Sequence, residues 1–213
     1  MIIELFGSPG SGKTYAINQI HPGAIKEGKN KKDLVLDPIK RVIKKSISLT
    51  PYAFAIRRKI RGCIVGCKIE TPKYKPVEIN DFIWNISMLG SVYRFSRRNV
   101  YMDEGIVHRT ISMCINYGID KEICENIIKN LSYVIKDVNV IYLSVPIDEC
   151  MKSIIERNRH EHSIDELKGE KLSAFLRSYE EYCNYISNVF GFIKVDRNKI
   201  SDIDFQMTFR SMS

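Results

Sequence analysis

Short apolar runs alternate along this chain with longer segments in which apolar residues recur every three or four positions. The short runs predict buried β-strands, and the longer segments predict helices with one apolar face. Five runs fit strands: residues 2–6, 34–36, 100–102, 138–145 and 192–195. Because helical segments separate them, the strands are expected to lie parallel in one sheet.

Helical spacing is clearest over residues 81–97 and 120–134, with Asp120 as the cap of the second segment. Another helix is expected after Pro146, and Ser163 with Glu166 forms a capping-box pattern before a long helix. The predicted fold class is therefore α/β, a three-layer α/β/α arrangement around a five-stranded, mainly parallel sheet.

Residues 50–77 interrupt this alternation. Prolines and glycines punctuate the segment, and only a short helix around residues 52–60 is indicated. No repeat, low-complexity tract or linker divides the chain, so residues 1–213 are expected to form a single domain with an insertion at about 50–77.

The most informative motif follows the first predicted strand. Residues 7–14 read Gly7-Ser8-Pro9-Gly10-Ser11-Gly12-Lys13-Thr14 and match the phosphate-binding pattern G-x-x-x-x-G-K-[ST] at every fixed position. An apolar run precedes the motif, and a helical segment follows it, as this loop requires.

Each residue type in the motif has a chemical reason. Glycines allow successive backbone N–H groups to point at one anion. Lys13 supplies a positive charge for the β- and γ-phosphates, and the Thr14 hydroxyl is a ligand type for Mg²⁺. The whole loop, residues 7–14, is therefore expected to hold a nucleoside triphosphate, with ATP and Mg²⁺ as the cofactors.

Composition excludes several protein classes. The chain has 213 residues, of which 44% are hydrophobic, enough for one packed interior. No apolar stretch approaches the roughly 20 residues that cross a bilayer, and Glu4 with the early loop does not fit a signal peptide, so a cytoplasmic location is expected. The six cysteines have no disulfide-like framework, and the C-x-x-x-C spacing of Cys63 and Cys67 does not suit zinc.

The formal net charge of +8 is concentrated in one region. Residues 26–75 hold fifteen Lys and Arg residues against four acids, a net of +11. Such a block favours an anionic partner, whether a phosphorylated small molecule or a nucleic acid, although a solvated lysine-rich face is the plainer alternative.

Further motifs follow the later predicted strands. Asp37 precedes Pro38 after the second strand, Asp103-Glu104-Gly105 follows the third, with Arg109 close behind, and Arg157-x-Arg159 follows the fourth. With residues 7–14, these motifs resemble those of the nucleoside and nucleotide kinases of the phosphate-loop class, most nearly thymidylate kinase and the deoxynucleoside kinases. The Asp-Arg pair usual in thymidylate kinase after strand three is absent, so the resemblance does not name the acceptor.

The resemblance implies roles for individual residues. Asp37 would act as base or orient the acceptor, and Asp103 would support Mg²⁺ beside Thr14. Arg157 and Arg159 would belong to a lid at about residues 157–165. The implied catalytic set is Lys13, Asp37, Asp103, Arg157 and Arg159, and the implied acceptor contacts are Asp37, Glu104 and Arg109. Arg57 and Arg58 are further acceptor candidates because they belong to the basic insertion. Each of these roles has a structural alternative. Asp37 could cap a helix, Arg109 could form a structural ion pair, and the two lid arginines could simply stabilise the end of a helix.

The sequence thus predicts an ATP- and Mg²⁺-dependent kinase that transfers the γ-phosphoryl group to an anionic acceptor. A nucleotide or nucleoside is the favoured acceptor, and a phosphosugar or another hydroxyl compound stays open. Two alternatives are an ATPase associated with nucleic acid and a nucleotide-dependent switch protein. Nucleic acid is a less favoured partner than a small acceptor, and a homodimer stays open.

Overall fold

In the part of the chain that the structure describes, four parallel strands form one sheet. The computed structural model describes residues 1–20, 49–74, 76–96, 99–157, 167–197 and 199. Within these ranges the strands are β1 (Ile2–Phe6), β2 (Val100–Met102), β3 (Val138–Ser144) and β4 (Ile193–Asp196), in the spatial order β2-β1-β3-β4. Every neighbouring pair is parallel, and β1 is central, with Glu4 opposite Met102 on one side and Val140 on the other.

Helices connect the strands in the described part of the chain. They are α1 (Lys13–Ile20), α2 (Pro51–Ile64), α3 (Ile79–Phe95), α4 (Ile106–Tyr117), α5 (Lys121–Asn130), α6 (Ser132–Ile135), α7 (Ile147–Arg157) and α8 (Gly169–Phe190). The α/β class and the parallel sheet predicted from the apolar runs are therefore confirmed. The remaining predicted strand, residues 34–36, which is second in chain order, lies outside the described residues.

Apolar burial explains why these segments form these elements. Ile3, Leu5 and Phe6 of β1 are fully buried, as expected for the middle strand of a parallel sheet. The long helix α8 buries Leu172, Phe175, Leu176, Tyr179, Cys183 and Ile186, a set with helical spacing. The predicted helix over 81–97 corresponds to α3, and the predicted helix over 120–134 is divided between α5 and α6.

One helix was not predicted from the sequence. Helix α4 follows the Asp103-Glu104-Gly105 turn and is almost entirely buried, with Ile106, Val107, Ile111 and Cys114 in the core. The apolar spacing of these residues is helical, so the signal was present. The capping-box residues Ser163 and Glu166 lie outside the described residues, and α8 begins at Gly169 with Lys168 as its N-cap.

The segment at 50–77 contains more helix than its prolines and glycines suggest. Thr50 caps α2 by accepting a hydrogen bond from the Ala53 N–H at 3.2 Å, and Pro51 occupies the first turn, where its missing N–H costs nothing. Helix α2 then packs on α3 and α5. All six cysteines are free. No described helix combines the length and apolar character needed to cross a bilayer.

Candidate active site

The loop of residues 7–14 lies between β1 and α1. Gly10 has φ +81°, and a Cβ atom there would lie 2.4 Å from the carbonyl oxygen of Cys150 on α7. Only glycine fits this position, because both the backbone conformation and the close approach exclude a side chain. The loop therefore has the backbone shape that an anion-binding cradle needs.

Two side chains within the loop are poised for an anion. The Ser11 hydroxyl is buried and, among the described residues, has no hydrogen-bond partner. The Lys13 ammonium donates to the carbonyl oxygens of Gly7 at 2.9 Å and Ser8 at 3.0 Å, so it lies across the loop. Burial lowers the pKa of Lys13, and the nearby carboxylates of Glu104 and Asp103 act in the opposite direction. Phosphate oxygens would satisfy both groups.

The turn after β2 meets the loop directly. Strands β1 and β2 are adjacent and parallel, so their carboxyl ends lie at the same edge of the sheet. The Thr14 hydroxyl donates to Asp103 Oδ2 at 2.7 Å, although the two residues are 89 positions apart. A hydroxyl and a carboxylate in contact are suitable oxygen ligands for Mg²⁺, either directly or through water.

Glu104 and Arg109 form a pair beside Asp103. The Arg109 guanidinium donates to Glu104 Oε2 and to the Glu104 carbonyl oxygen, each at 3.1 Å. Glu104 lines the cleft described below, whereas Arg109 is not among its lining residues. The structural ion pair considered for Arg109 is therefore present, and Arg109 holds Glu104 in place.

A cleft of about 510 Å³ begins at the loop and continues along α4 and α8. Its loop end contains Lys13, Thr14, Asp103, Glu104, Arg157 and Arg197, together with the backbone of Pro9, Gly10 and Gly12. Its far end is lined by Tyr74, His108, Ser112, Asn116, Phe175 and Tyr179. The cleft thus joins a charged end to an aromatic and polar end.

The far end is held together by ring packing and hydrogen bonds. The rings of Tyr74 and Phe175 lie 4.5 Å apart between centroids, and Phe175 meets the Tyr179 ring edge-on at 5.8 Å. The Tyr179 hydroxyl is 2.6 Å from Ser112 Oγ and 3.3 Å from both ring nitrogens of His108. Burial raises the pKa of Tyr179 well above its ordinary value, so its hydroxyl stays protonated. These residues can receive a flat, partly polar ligand.

Arg197 lies beside the loop and lines the cleft. It pairs with Glu149 of α7, and its aliphatic part would be 3.0 Å from a Cβ at Gly12. Arg157, the last residue of α7, also lines the cleft. Two guanidinium groups therefore accompany Lys13 at the loop end.

Two predicted acceptor residues of α2, Arg57 and Arg58, do not line the cleft. Arg57 is buried between α2 and α3, where it donates to Ser87 Oγ at 3.3 Å and covers the Trp84 ring at 4.4 Å. Arg58 is exposed, and neither arginine is among the residues that line the cleft. Asp37 and Arg159 lie outside the described residues, as do most of the predicted lid and the basic stretch at 26–48.

Sequence reasoning missed the far end of the cleft. His108, Ser112 and Asn116 recur at intervals of four, which places them on one face of α4 and was a readable signal once that helix was recognised. Tyr74 and Arg197 gave no local signal, because Tyr74 lies in an irregular segment and Arg197 follows the last strand. Phe175 and Tyr179 read only as core positions of a helix.

A phosphate loop between the first strand and the first helix of a parallel sheet defines the class of phosphate-loop nucleotide-binding folds. No family model matches the chain, and no curated protein matches it. Among solved structures, the chain is similar to deoxyadenosine kinase from M. mycoides in several complexes.

The complex of that kinase with dCMP and dCDP matches at 19% identity and a TM-score of 0.47, covering 100% of this chain and 96% of that one. The dATP complex matches at 20% identity and 0.47, covering 100% and 97%. The dCTP complex matches at 19% and 0.44, covering 100% and 96%.

Proposed function

We propose that this protein is a small-molecule kinase that transfers the γ-phosphoryl group of ATP to a nucleoside or nucleotide. The observation that carries the proposal is that one cleft joins the phosphate loop to an end lined by aromatic and polar side chains. A hydrolase needs room for water at the phosphate, whereas a kinase needs a second compartment for an acceptor next to the donor.

The loop end suits the donor. The backbone of residues 7–14, the unpartnered Ser11 hydroxyl and Lys13 would hold the phosphates, and Thr14 with Asp103 would hold the metal. Mg²⁺ bound there would neutralise charge on the β- and γ-phosphates. Arg157 would offset the negative charge that develops during transfer. Arg159 would share this role, which the sequence resemblance to nucleoside and nucleotide kinases implies for both arginines.

The far end suits an aromatic acceptor. A nucleobase offers a flat ring for Tyr74 and Phe175 and polar edges for the side chains of α4. Among the described residues, no lysine or arginine lines this end, so an acceptor phosphate would have to lie toward Arg157 and the loop. This arrangement favours a nucleoside or nucleotide over a phosphosugar, which has no flat aromatic ring to stack against the aromatic side chains.

Two carboxylates are proposed to handle the acceptor hydroxyl. Glu104 lines the cleft beside Asp103 and is oriented by Arg109. Asp37 keeps the role suggested by the resemblance, as base or orienting group. Replacing each by its amide separates them, because the true hydroxyl partner is the one whose loss lowers turnover while ATP affinity is kept.

Phosphoryl transfer can be tested with labelled ATP and Mg²⁺ and a panel of acceptors. The panel contains nucleosides, nucleotides, sugars, phosphosugars and oligonucleotides, and both acceptor labelling and free phosphate are followed. The expected result is label in a nucleoside or nucleotide, lost in Lys13→Ala and kept in Lys152→Ala, which changes an exposed lysine that pairs with Glu156 on α7.

Two outcomes of the same assay would contradict the proposal. Release of phosphate that oligonucleotides stimulate, with no acceptor labelled, would replace the kinase by an ATPase associated with nucleic acid. Label in a phosphosugar but in no nucleoside or nucleotide would refute the role given to the aromatic end of the cleft.

A further inference from the structure

The strand that precedes the phosphate loop carries a buried carboxyl group, and this group contacts the first turn of the cleft-lining helix α4. Glu4 is on the central strand β1 and is fully buried, between the apolar residues Ile3 and Leu5. Burial of a charge costs several kcal/mol unless hydrogen bonds compensate for the lost water. A glutamate at this position is therefore expected to accept hydrogen bonds from several nearby donors.

Four donors surround the Glu4 carboxylate. Oε1 accepts from the N–H groups of Val107 at 2.7 Å and His108 at 3.1 Å. Oε2 accepts from the Ile106 N–H at 3.0 Å and from the Tyr93 hydroxyl of α3 at 2.9 Å. Three of the four donors are the first N–H groups of α4, which have no partner within the helix itself.

Glu4 thus caps α4 from another part of the chain. The positive end of the α4 dipole favours a carboxylate, and Gly105, the N-cap residue, has no side chain that could do this task. A Cβ atom on Gly105 would lie 2.2 Å from Glu4 Cδ and 2.3 Å from the Tyr93 oxygen. The missing side chain at Gly105 is what allows the turn to approach the carboxylate this closely.

The groups that Glu4 holds are those that form the cleft. Asp103, which contacts Thr14, lies two residues before Gly105. Helix α4 carries His108, Ser112 and Asn116 along the cleft wall. Glu4 itself lies three residues before Gly7, the first residue of the phosphate loop. One carboxylate therefore connects the loop strand, the Asp103 turn and the acceptor wall.

We propose that Glu4 is a positioning residue of phosphoryl transfer, which keeps Asp103 and the cleft-lining face of α4 in register with the phosphate loop. The proposal rests on the function proposed above. Its physical basis is that α1 and the loop move with β1, whereas Asp103 and α4 move with the turn after β2. Small displacements of the donor, metal and acceptor groups relative to one another strongly lower the rate of transfer.

The test compares four proteins: the natural chain, Glu4→Gln, Tyr93→Phe and Glu156→Gln. Glutamine keeps the size of Glu4 but replaces one of its two acceptor oxygens by an NH₂ group that faces other donors, so about half of the α4 cap is lost. Tyr93→Phe removes one donor of the four and leaves the carboxylate. Glu156→Gln is the control, since Glu156 is on the exposed side of α7. Each variant is first checked for folding by circular dichroism.

Two quantities separate positioning from simple packing. The first is the gain in ATP affinity on adding Mg²⁺, measured by calorimetry against the same titration in EDTA. The second is the division of any kinetic loss between kcat and KM. For Glu4→Gln we expect ATP affinity in EDTA within about twofold and most of the Mg²⁺ gain lost. We also expect kcat to fall by about tenfold or more, with the KM for ATP raised no further than the lost Mg²⁺ gain accounts for. Tyr93→Phe should change in the same direction by less.

Several results would overturn the proposal. A folded Glu4→Gln with an unchanged Mg²⁺ gain and kcat would make Glu4 a core residue only, and so would a natural chain without any Mg²⁺ gain. Loss of ATP affinity in EDTA as well would mean that the loop itself is disturbed. If Glu4→Gln does not fold, an unchanged Mg²⁺ gain in Tyr93→Phe has the same meaning. Failure of the kinase proposal is a separate result, because the natural chain would then label no acceptor while the calorimetric comparison still decides the role of Glu4.

Discussion

At the loop end of the cleft, most binding groups come from one continuous stretch, residues 7–14, whereas the aromatic end draws on Tyr74, α4 and α8. The loop end relies on backbone N–H groups and one lysine, which recognise charge. The aromatic end relies on ring packing and hydroxyl contacts such as that between Ser112 and Tyr179. Under the proposed function, phosphate recognition would thus be local in the sequence, and recognition of the acceptor would be distributed over the fold.

The largest expected effect lies at the loop end. In Lys13→Ala the charge beside the β- and γ-phosphates is lost, and kcat should fall by roughly a hundredfold to a thousandfold. Steady-state phosphate transfer measures this effect, and Lys152→Ala should leave kcat unchanged. A fall of only a few-fold in Lys13→Ala would show that the loop end does not carry the charge stabilisation assigned to it.

Glu4, which connects β1 to α4, should make the free energy of unfolding depend on pH. Burial raises the pKa of Glu4 from 4.5 to about 7, although its four hydrogen bonds act in the opposite direction. Between these values the folded chain binds more protons than the unfolded chain, so this contribution to stability is full below pH 4.5 and is lost as the pH rises through about 7. The expected loss is roughly 3 kcal/mol across that window.

Urea unfolding at pH 5 and pH 8 measures this dependence. The two proteins share all their other titratable groups, so the difference between the pH profiles of the natural chain and Glu4→Gln isolates the Glu4 carboxyl group. Parallel pH profiles in the two proteins would contradict the shifted pKa of Glu4.

The backbone shape of the loop gives the next effect in size. Gly10 and Gly66 both have φ +81°, but a Cβ at Gly10 meets the Cys150 carbonyl, whereas a Cβ at Gly66 meets no described atom within 4 Å. Gly66→Ala should cost about 1 kcal/mol of unfolding free energy and leave ATP affinity unchanged. Gly10→Ala should cost more and weaken ATP binding at least about tenfold. Equal effects on ATP affinity would remove the close approach as an explanation.

The smallest effect concerns the aromatic end. Tyr179→Phe removes the hydroxyl that meets Ser112 and His108, and Tyr182→Phe removes one that donates to the Ile119 carbonyl at 2.6 Å, away from the cleft. Each should cost about 1 kcal/mol in stability. Only Tyr179→Phe should raise the acceptor KM, by several-fold, with ATP affinity unchanged. A similar acceptor KM in both variants would place the acceptor elsewhere.

Most of the fold and half of the site could be predicted from the sequence. The apolar runs predicted the four described strands, because buried parallel strands are short and continuously apolar. The loop motif predicted Lys13, Thr14 and the backbone cradle, since their geometry depends on neighbours within eight residues. Asp103 was predicted by its place after a strand, and its contact with Thr14 agrees with that expectation.

Prediction was weaker where contacts cross between elements. Arg57 looked like an acceptor ligand because it is part of a basic cluster, yet it packs on Trp84 and Ser87 of α3. Glu4 looked like an ordinary charged residue near the N-terminus, and its four donors come from α3 and α4. No local pattern encodes partners that are about 90 to 100 positions away.

By itself, the sequence determined the class of fold and the phosphate loop, because strand burial, helix spacing and loop conformation depend on short-range chemistry. Only the tertiary structure decided which side chains meet across the cleft, that Arg109 holds Glu104 rather than lining the cleft, and that Glu4 joins the loop strand to α4. These contacts depend on the order and register of parallel strands, which bring the ends of distant segments to one edge of the sheet.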